Sequence, residues 1–146
     1  MPFSAQEVVI GMIAYFAIDE LRGAADIRFV GGSPDAKSRP FVCYAQDAAG
    51  DFYWTPLTTD NGQSKRAVIK KKWIERAPGK FRTATVIVND GGHTYAGSAE
   101  AFAKLSSAHD KFQAASRPSL NADGVAVVLT TVQSRNGLQP TKEEEP

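Results

Sequence analysis

A chain of 146 residues, 42% of them hydrophobic, has enough apolar material for one core, and its formal net charge of +1 names neither an acidic nor a basic partner. Its one cysteine, Cys43, excludes an intrachain disulfide framework or a thiolate metal cluster and points to a reducing, cytoplasmic setting. The apolar run from Val8 to Ile18 is about half as long as a membrane span needs to be, is bounded by Glu7, Asp19 and Glu20, and follows no Lys or Arg, so neither a membrane helix nor a secretory leader is expected.

In chain order, Ser4-Ala5-Gln6-Glu7 has the capping-box pattern, in which hydroxyl and carboxylate satisfy orphan backbone amides, and it predicts a helix over 5–22. Gly23 stands where a left-handed C-cap is wanted, and Arg22 sets a positive charge at the negative end of the helix dipole. Val8, Val9, Met12, Ile13, Tyr15, Phe16 and Ile18 cover more than one stripe of this helix, so it is expected to pack under a sheet on two sides or to offer a homodimer surface.

From residue 26 the pattern shortens into strands. Ile27 to Val30 is stopped by Gly31-Gly32-Ser33-Pro34, a cluster that punctuates a strand, and 31–39 is read as a loop. Phe41 to Ala45 and Phe52 to Leu57, joined through Ala48-Ala49-Gly50-Asp51, are expected to form a hairpin. Ala67 to Trp73 reads as a short strand or a helical turn, and Thr83 to Val88 as a strand ended by the turn Asn89-Asp90-Gly91-Gly92. Ser98 is a plausible N-cap for a second helix over 98–115, with Phe102, Leu105, Ala108 and Phe112 facing the core. Gly124 to Val132 is a continuous β-branched run suited to a buried strand, and the apolar-poor stretch 135–146 is expected to be a disordered tail beyond a single domain of 1–134.

The chemistry is concentrated in few places. Lys65, Arg66, Lys70, Lys71, Lys72, Arg76, Lys80 and Arg82 face a single acid, Glu75, with Trp73 and Phe81 interleaved. Cations that neutralise phosphates and rings that stack on unpaired bases make this mixture an RNA-binding candidate, carried by Lys65, Arg66, Lys70, Lys71, Lys72, Trp73 and Arg76, or else a solvated surface. His93 and His109 belong to no metal-ligand spacing, so no metal or other cofactor is expected; His93, after a glycine-rich turn, can present an acid/base imidazole or simply lie exposed. Neither glycine pair is followed by a P-loop Lys-Ser/Thr, and no nucleophile elbow or carboxylate pair stands out. Cys43, in the run Phe41-Val42-Cys43-Tyr44, reads as a buried small hydrophobe.

Lys37-Ser38-Arg39-Pro40-Phe41-Val42-Cys43 and Asp51-Phe52-Tyr53-Trp54-Thr55-Pro56-Leu57-Thr58-Thr59 resemble the core of the MazF/PemK/Kid family of toxin endoribonucleases. There a basic residue and proline open one strand, and a second ends in Pro-Ile/Leu-Thr-Ser/Thr; the family's opening strand is matched only loosely, by Gly23 to Phe29. The resemblance implies an α+β fold built on an SH3-like small antiparallel β-barrel, here with an N-terminal helix and a second helix near the C-terminus. It implies cleavage of single-stranded RNA without a metal, an antitoxin partner of protein or RNA, and a role in a toxin-antitoxin pair. Arg39 would stabilise the phosphorane-like charge and Thr58 would hold or activate the phosphate region, while His93 is added from its own chemistry and not from the family. The competing readings are a noncatalytic SH3-like module that binds nucleic acid or protein, and an assembly protein that dimerises through the N-terminal helix at Ile13 and Phe16.

Overall fold

Between Val8 and Ala17 the apolar side chains are divided between two faces, and that division makes a strand. The structure, a computed structural model, describes residues 3–32, 38–59, 68–75, 86–88, 93–105 and 117–136. Glu7 accepts the Ser4 N–H at 2.7 Å, but the cap opens only one 3-10 turn, Ala5–Glu7. The helix expected over 5–22 is corrected: the chain continues into β1 (Ile13–Ala17), and only Ile18–Gly23 is helical, as α1. Consecutive β-branched Val8, Val9 and Ile10 lose side-chain freedom in a helix, and Gly11, at φ +102°, breaks it outright. A Cβ at Gly11 would lie 2.5 Å from the Leu120 carbonyl oxygen, so this crossing admits only glycine. Ile13 and Phe16 are fully buried, and the dimer face expected on an N-terminal helix has no helix to carry it.

The remaining strands are β2 (Ile27–Gly32), β3 (Ser38–Gln46), β4 (Phe52–Thr59), β5 (Val68–Ile69), β6 (Ile74–Glu75), β7 (Val86–Val88), β8 (His93–Gly97) and β9 (Ser119–Leu120). A curled antiparallel sheet, a half-barrel, runs in the order β1-β3-β4-β7-β5, and β8 and β2 continue from the first half of β4. β3 and β4 are the expected hairpin, in register from Phe41 opposite Pro56 to Gln46 opposite Phe52, with a bulge between Cys43 and Ala45. At the other side of β1 the pairing passes to β9: Ile13 N–H donates to the Pro118 carbonyl at 3.3 Å and Leu120 N–H to that of Gly11 at 2.8 Å. β9 pairs with β6, and β6 returns to β5 through a 3-10 turn, Lys71–Trp73, so the run of strands comes back on itself. The segment read as strand or helical turn over 67–73 contains both.

Strand alternation sorts the core into two layers. Ile13, Val42, Tyr44, Tyr53, Leu57 and Ala96 face one side, with Ile69, Ile74 and Leu120. Ala14, Phe16, Phe41, Cys43, Trp54 and Tyr95 face the other, beneath α1 and α2 (Ala99–Leu105). The second layer is aromatic: Phe16 meets Trp54 edge-on at 5.2 Å between centroids, and both lie against Phe102 at 5.6 and 5.3 Å. Each such pair adds about 1 kcal/mol beyond the area it buries. Ser98 caps α2 as expected, its Oγ accepting the Ala101 N–H at 3.1 Å, and the part of the expected helix over 106–115 lies outside the described residues.

The β-branched run over 124–132 is a helix, not the expected strand. α3 spans Ala122–Asn136, passing the boundary expected at 134, and residues 137–146 of the expected tail lie outside the described residues. Asn121 starts it by accepting the Gly124 N–H on Oδ1 at 3.0 Å. Gly124, Val128 and Val132 are buried at helical spacing, and Val125 and Leu129 are half-buried beside them, so one valine stripe covers the first core layer.

Candidate functional site

The start of β3, the end of β4 and the start of β8 lie at one end of the sheet. Arg39 is the second residue of β3 and pairs with Phe16 of β1, while the next residue, Pro40, pairs with Tyr15. Thr58 pairs with Ile87 of β7. The β3–β4 ladder starts at the rung Phe41–Pro56, so Arg39 lies two residues before that rung on one strand and Thr58 two residues after it on the adjacent strand. His93 opens β8 opposite Gly32, the last residue of β2. The fold therefore gathers the backbones of Arg39, Thr58 and His93 at the same end.

The sheet changes partners at this end. β4 pairs with β8 through Phe52, Tyr53 and Trp54 and with β7 through Leu57, Thr58 and Thr59, so its neighbour on that side changes around Thr55 and Pro56. Proline has no amide hydrogen to donate to a ladder, so Pro56 suits a change of partner. The expected turn over 89–92 connects β7 to β8, and it, 33–37 and 60–67 lie outside the described residues. Thr55 and Thr94, the buried polar residues of β4 and β8, have no exposure, and the Thr94 hydroxyl has no hydrogen-bond partner among the described residues. The sequence singled out His93 but not Thr94, because nothing in composition marks a threonine whose hydroxyl is enclosed.

The basic segment is described in part. Lys70, Lys71 and Lys72 are exposed, and Lys70 Nζ sits 5.3 Å from the centre of the half-buried Trp73 ring. The Trp73 carbonyl accepts the Asn121 N–H at 2.8 Å, which fixes this 3-10 turn against the start of α3. Lys65, Arg66 and Arg76 lie outside the described residues.

At the opposite end, the β3–β4 turn holds a charged network that sequence reading missed. Asp47 Oδ1 accepts the N–H groups of Ala49 and Asp51, each at 3.0 Å, and Oδ2 accepts the Tyr53 hydroxyl at 3.0 Å. Arg28, from β2, donates to Asp51 at 3.0 Å and to the Tyr53 hydroxyl at 3.2 Å. Desolvation pushes the Asp47 carboxyl up, but the Asp51 amide, the Tyr53 hydroxyl, the Ala49 amide and the Arg28 charge together hold it below the ordinary carboxylate range. Burial raises the Tyr53 phenol. The Asp-x-x-Gly-Asp spacing signalled a turn; the arrival of Arg28 from another strand had no local signal. Cys43 is buried and its thiol is pushed far up by desolvation, which keeps it protonated and unreactive. Among the described residues no three His, Cys, Asp or Glu side chains cluster to hold a metal ion.

The sequence matches no protein-family model and no curated protein.

Proposed function

We infer that this chain is a metal-independent endoribonuclease acting on single-stranded RNA in the cytoplasm, the toxin of a toxin-antitoxin pair similar to the MazF/PemK/Kid enzymes. The observation that carries the reading is the backbone convergence of Arg39, Thr58 and His93 at the end of the sheet where β4 changes partners. Support for an SH3-like barrel comes from the returning run of strands β1-β3-β4-β7-β5 and β6-β9-β1, joined by a 3-10 turn.

The chemistry asks little of the protein. The ribose 2′-oxygen attacks the adjacent phosphorus as its proton passes to a base, and the 5′-oxygen leaves with a proton from an acid, giving a 2′,3′-cyclic phosphate and a 5′-hydroxyl. Arg39 meets the charge that builds on the phosphoryl oxygens, Thr58 holds the phosphate by its hydroxyl, and His93 moves the proton. Lys70, Lys71 and Lys72 attract the RNA backbone, and the exposed part of Trp73 offers a stacking face. An antitoxin of protein or RNA completes the proposal.

The exposed lysines beside Trp73 also favour a second reading, a noncatalytic SH3-like module that binds nucleic acid or protein. Incubating the purified chain with long mixed-sequence single-stranded RNA in EDTA separates the two. Cleavage to 2′,3′-cyclic phosphate ends is expected; intact RNA with a salt-sensitive mobility shift would replace the enzyme with the binding module.

A further inference from the structure

A cleft separate from Arg39, Thr58 and His93 lies where the N-terminal segment runs beside β9 and β6. It measures about 450 Å³, and its apolar surface comes from Val9, Ile10, Met12, Pro118 and Leu120. Val9 and Ile10 are 56% and 47% exposed, two of the three exposed large hydrophobic residues among those described. Large apolar side chains grouped at the lip of a cleft mark a contact surface in a way that scattered ones do not. Met12 bridges to Ser119, and β9 pairs with β6, so the floor is a short strip of strands tied on both sides.

The charges of the cleft point to its occupant. Glu7 lines it from the N-terminal 3-10 turn and Glu75 from β6; both are exposed. Glu7 accepts the Ser4 N–H and Glu75 faces the Ser119 hydroxyl at 3.3 Å, but neither has an ion-pair partner among the described residues. Arg117 is the cation in the wall, 7% exposed, donating to the Ile13 carbonyl at 3.0 Å and lying over the Phe3 ring at 5.3 Å. Its guanidinium is thus engaged in the fold, and among the residues that line the cleft Glu7 and Glu75 carry the charge left to a visitor. The volume is that of two or three side chains, a fit for a single strand of peptide.

We propose that this cleft binds a short extended segment of a partner protein in which arginine or lysine alternates with aliphatic residues. The aliphatic side chains cover Val9 and Ile10, and the cations pair with Glu7 and Glu75. The site does not depend on the ribonuclease reading, since none of its residues belongs to that site.

The test is fluorescence anisotropy of the full chain with a labelled acetyl-Gly-Leu-Arg-Leu-Arg-Leu-Gly-amide peptide, and with the same peptide carrying glutamate at both arginine positions. The arginine peptide is expected to saturate at micromolar concentration and the glutamate peptide to bind at least about tenfold more weakly. Glu7→Gln and Glu75→Gln are each expected to weaken the arginine peptide by about fivefold, as befits exposed charge pairs. Glutamine keeps the capping acceptor at Glu7, and an unchanged melting curve shows that each variant is folded. Ile10→Ser should weaken both peptides. No saturation by about 1 mM, equal affinity for the two peptides, or unchanged affinity in both glutamine variants would overturn the proposal. So would displacement of the peptide by free spermidine or single-stranded RNA at concentrations equal to or below its own.

Discussion

The two ends of the β3–β4 hairpin are built on opposite plans. At the turn, Asp47 collects two backbone N–H groups and the Tyr53 hydroxyl, and Arg28 ties the hairpin to β2, so that end is held by interlocking hydrogen bonds. At the other end, prolines stand at 40 and 56, a glycine pair ends β2, and the partner of β4 changes from β8 to β7. The difference teaches where the proposed chemistry is placed: one end is braced by side-chain hydrogen bonds, and the other is where β4 exchanges one neighbouring strand for another.

The comparison breaks most visibly at Arg39. Arg39→Ala is expected to lower the initial rate of RNA cleavage by about 10³-fold, the scale of losing a preorganised charge partner, with no change in melting temperature. Next comes the aromatic layer that both ends rest on: Phe16→Ala should cost about 3–5 kcal/mol in urea unfolding, because Trp54, Phe41 and Phe102 lose a shared neighbour. Gly11→Ala should cost about 2–3 kcal/mol by the same measurement, since it combines a positive φ with a backbone clash against Leu120.

The smallest effect sharpens the braced end. Asp47→Asn is expected to cost about 1 kcal/mol at neutral pH. The Asp47 carboxyl is held below its unfolded value, so the unfolded state takes up a proton first as pH falls. Its stabilisation is therefore complete above the ordinary carboxylate value of about 4 and drains away as pH drops through the lower folded value. Urea unfolding followed from pH 7 to pH 2 should show a steeper acid loss in the wild type than in the variant.

Local signals made part of this legible. The β3–β4 hairpin and the Ser98 cap follow from turn residues and a helix-initiating hydroxyl, and the hairpin already brings Arg39 near Thr58. Apolar density misled at both ends of the chain. Ile13 and Phe16 are buried on opposite faces of a strand covered on both sides, which resembles a helix with a broad apolar surface. In α3, β-branched composition outweighed the Asn121 cap and the four-residue spacing of Gly124, Val128 and Val132, although the 15-residue length favours a helix over a strand. The Ile74–Leu120 and Arg28–Asp51 contacts join distant stretches, and no local pattern announces them.

The most direct test of the central claim sets the two ends against each other: RNA cleavage in EDTA and thermal unfolding, measured together for the wild type, Arg39→Ala and Arg28→Ala. The account predicts that Arg39→Ala melts like the wild type and has lost cleavage, while Arg28→Ala melts lower and cleaves folded-protein for folded-protein like the wild type. Cleavage retained by Arg39→Ala, or lost only in Arg28→Ala, would contradict it.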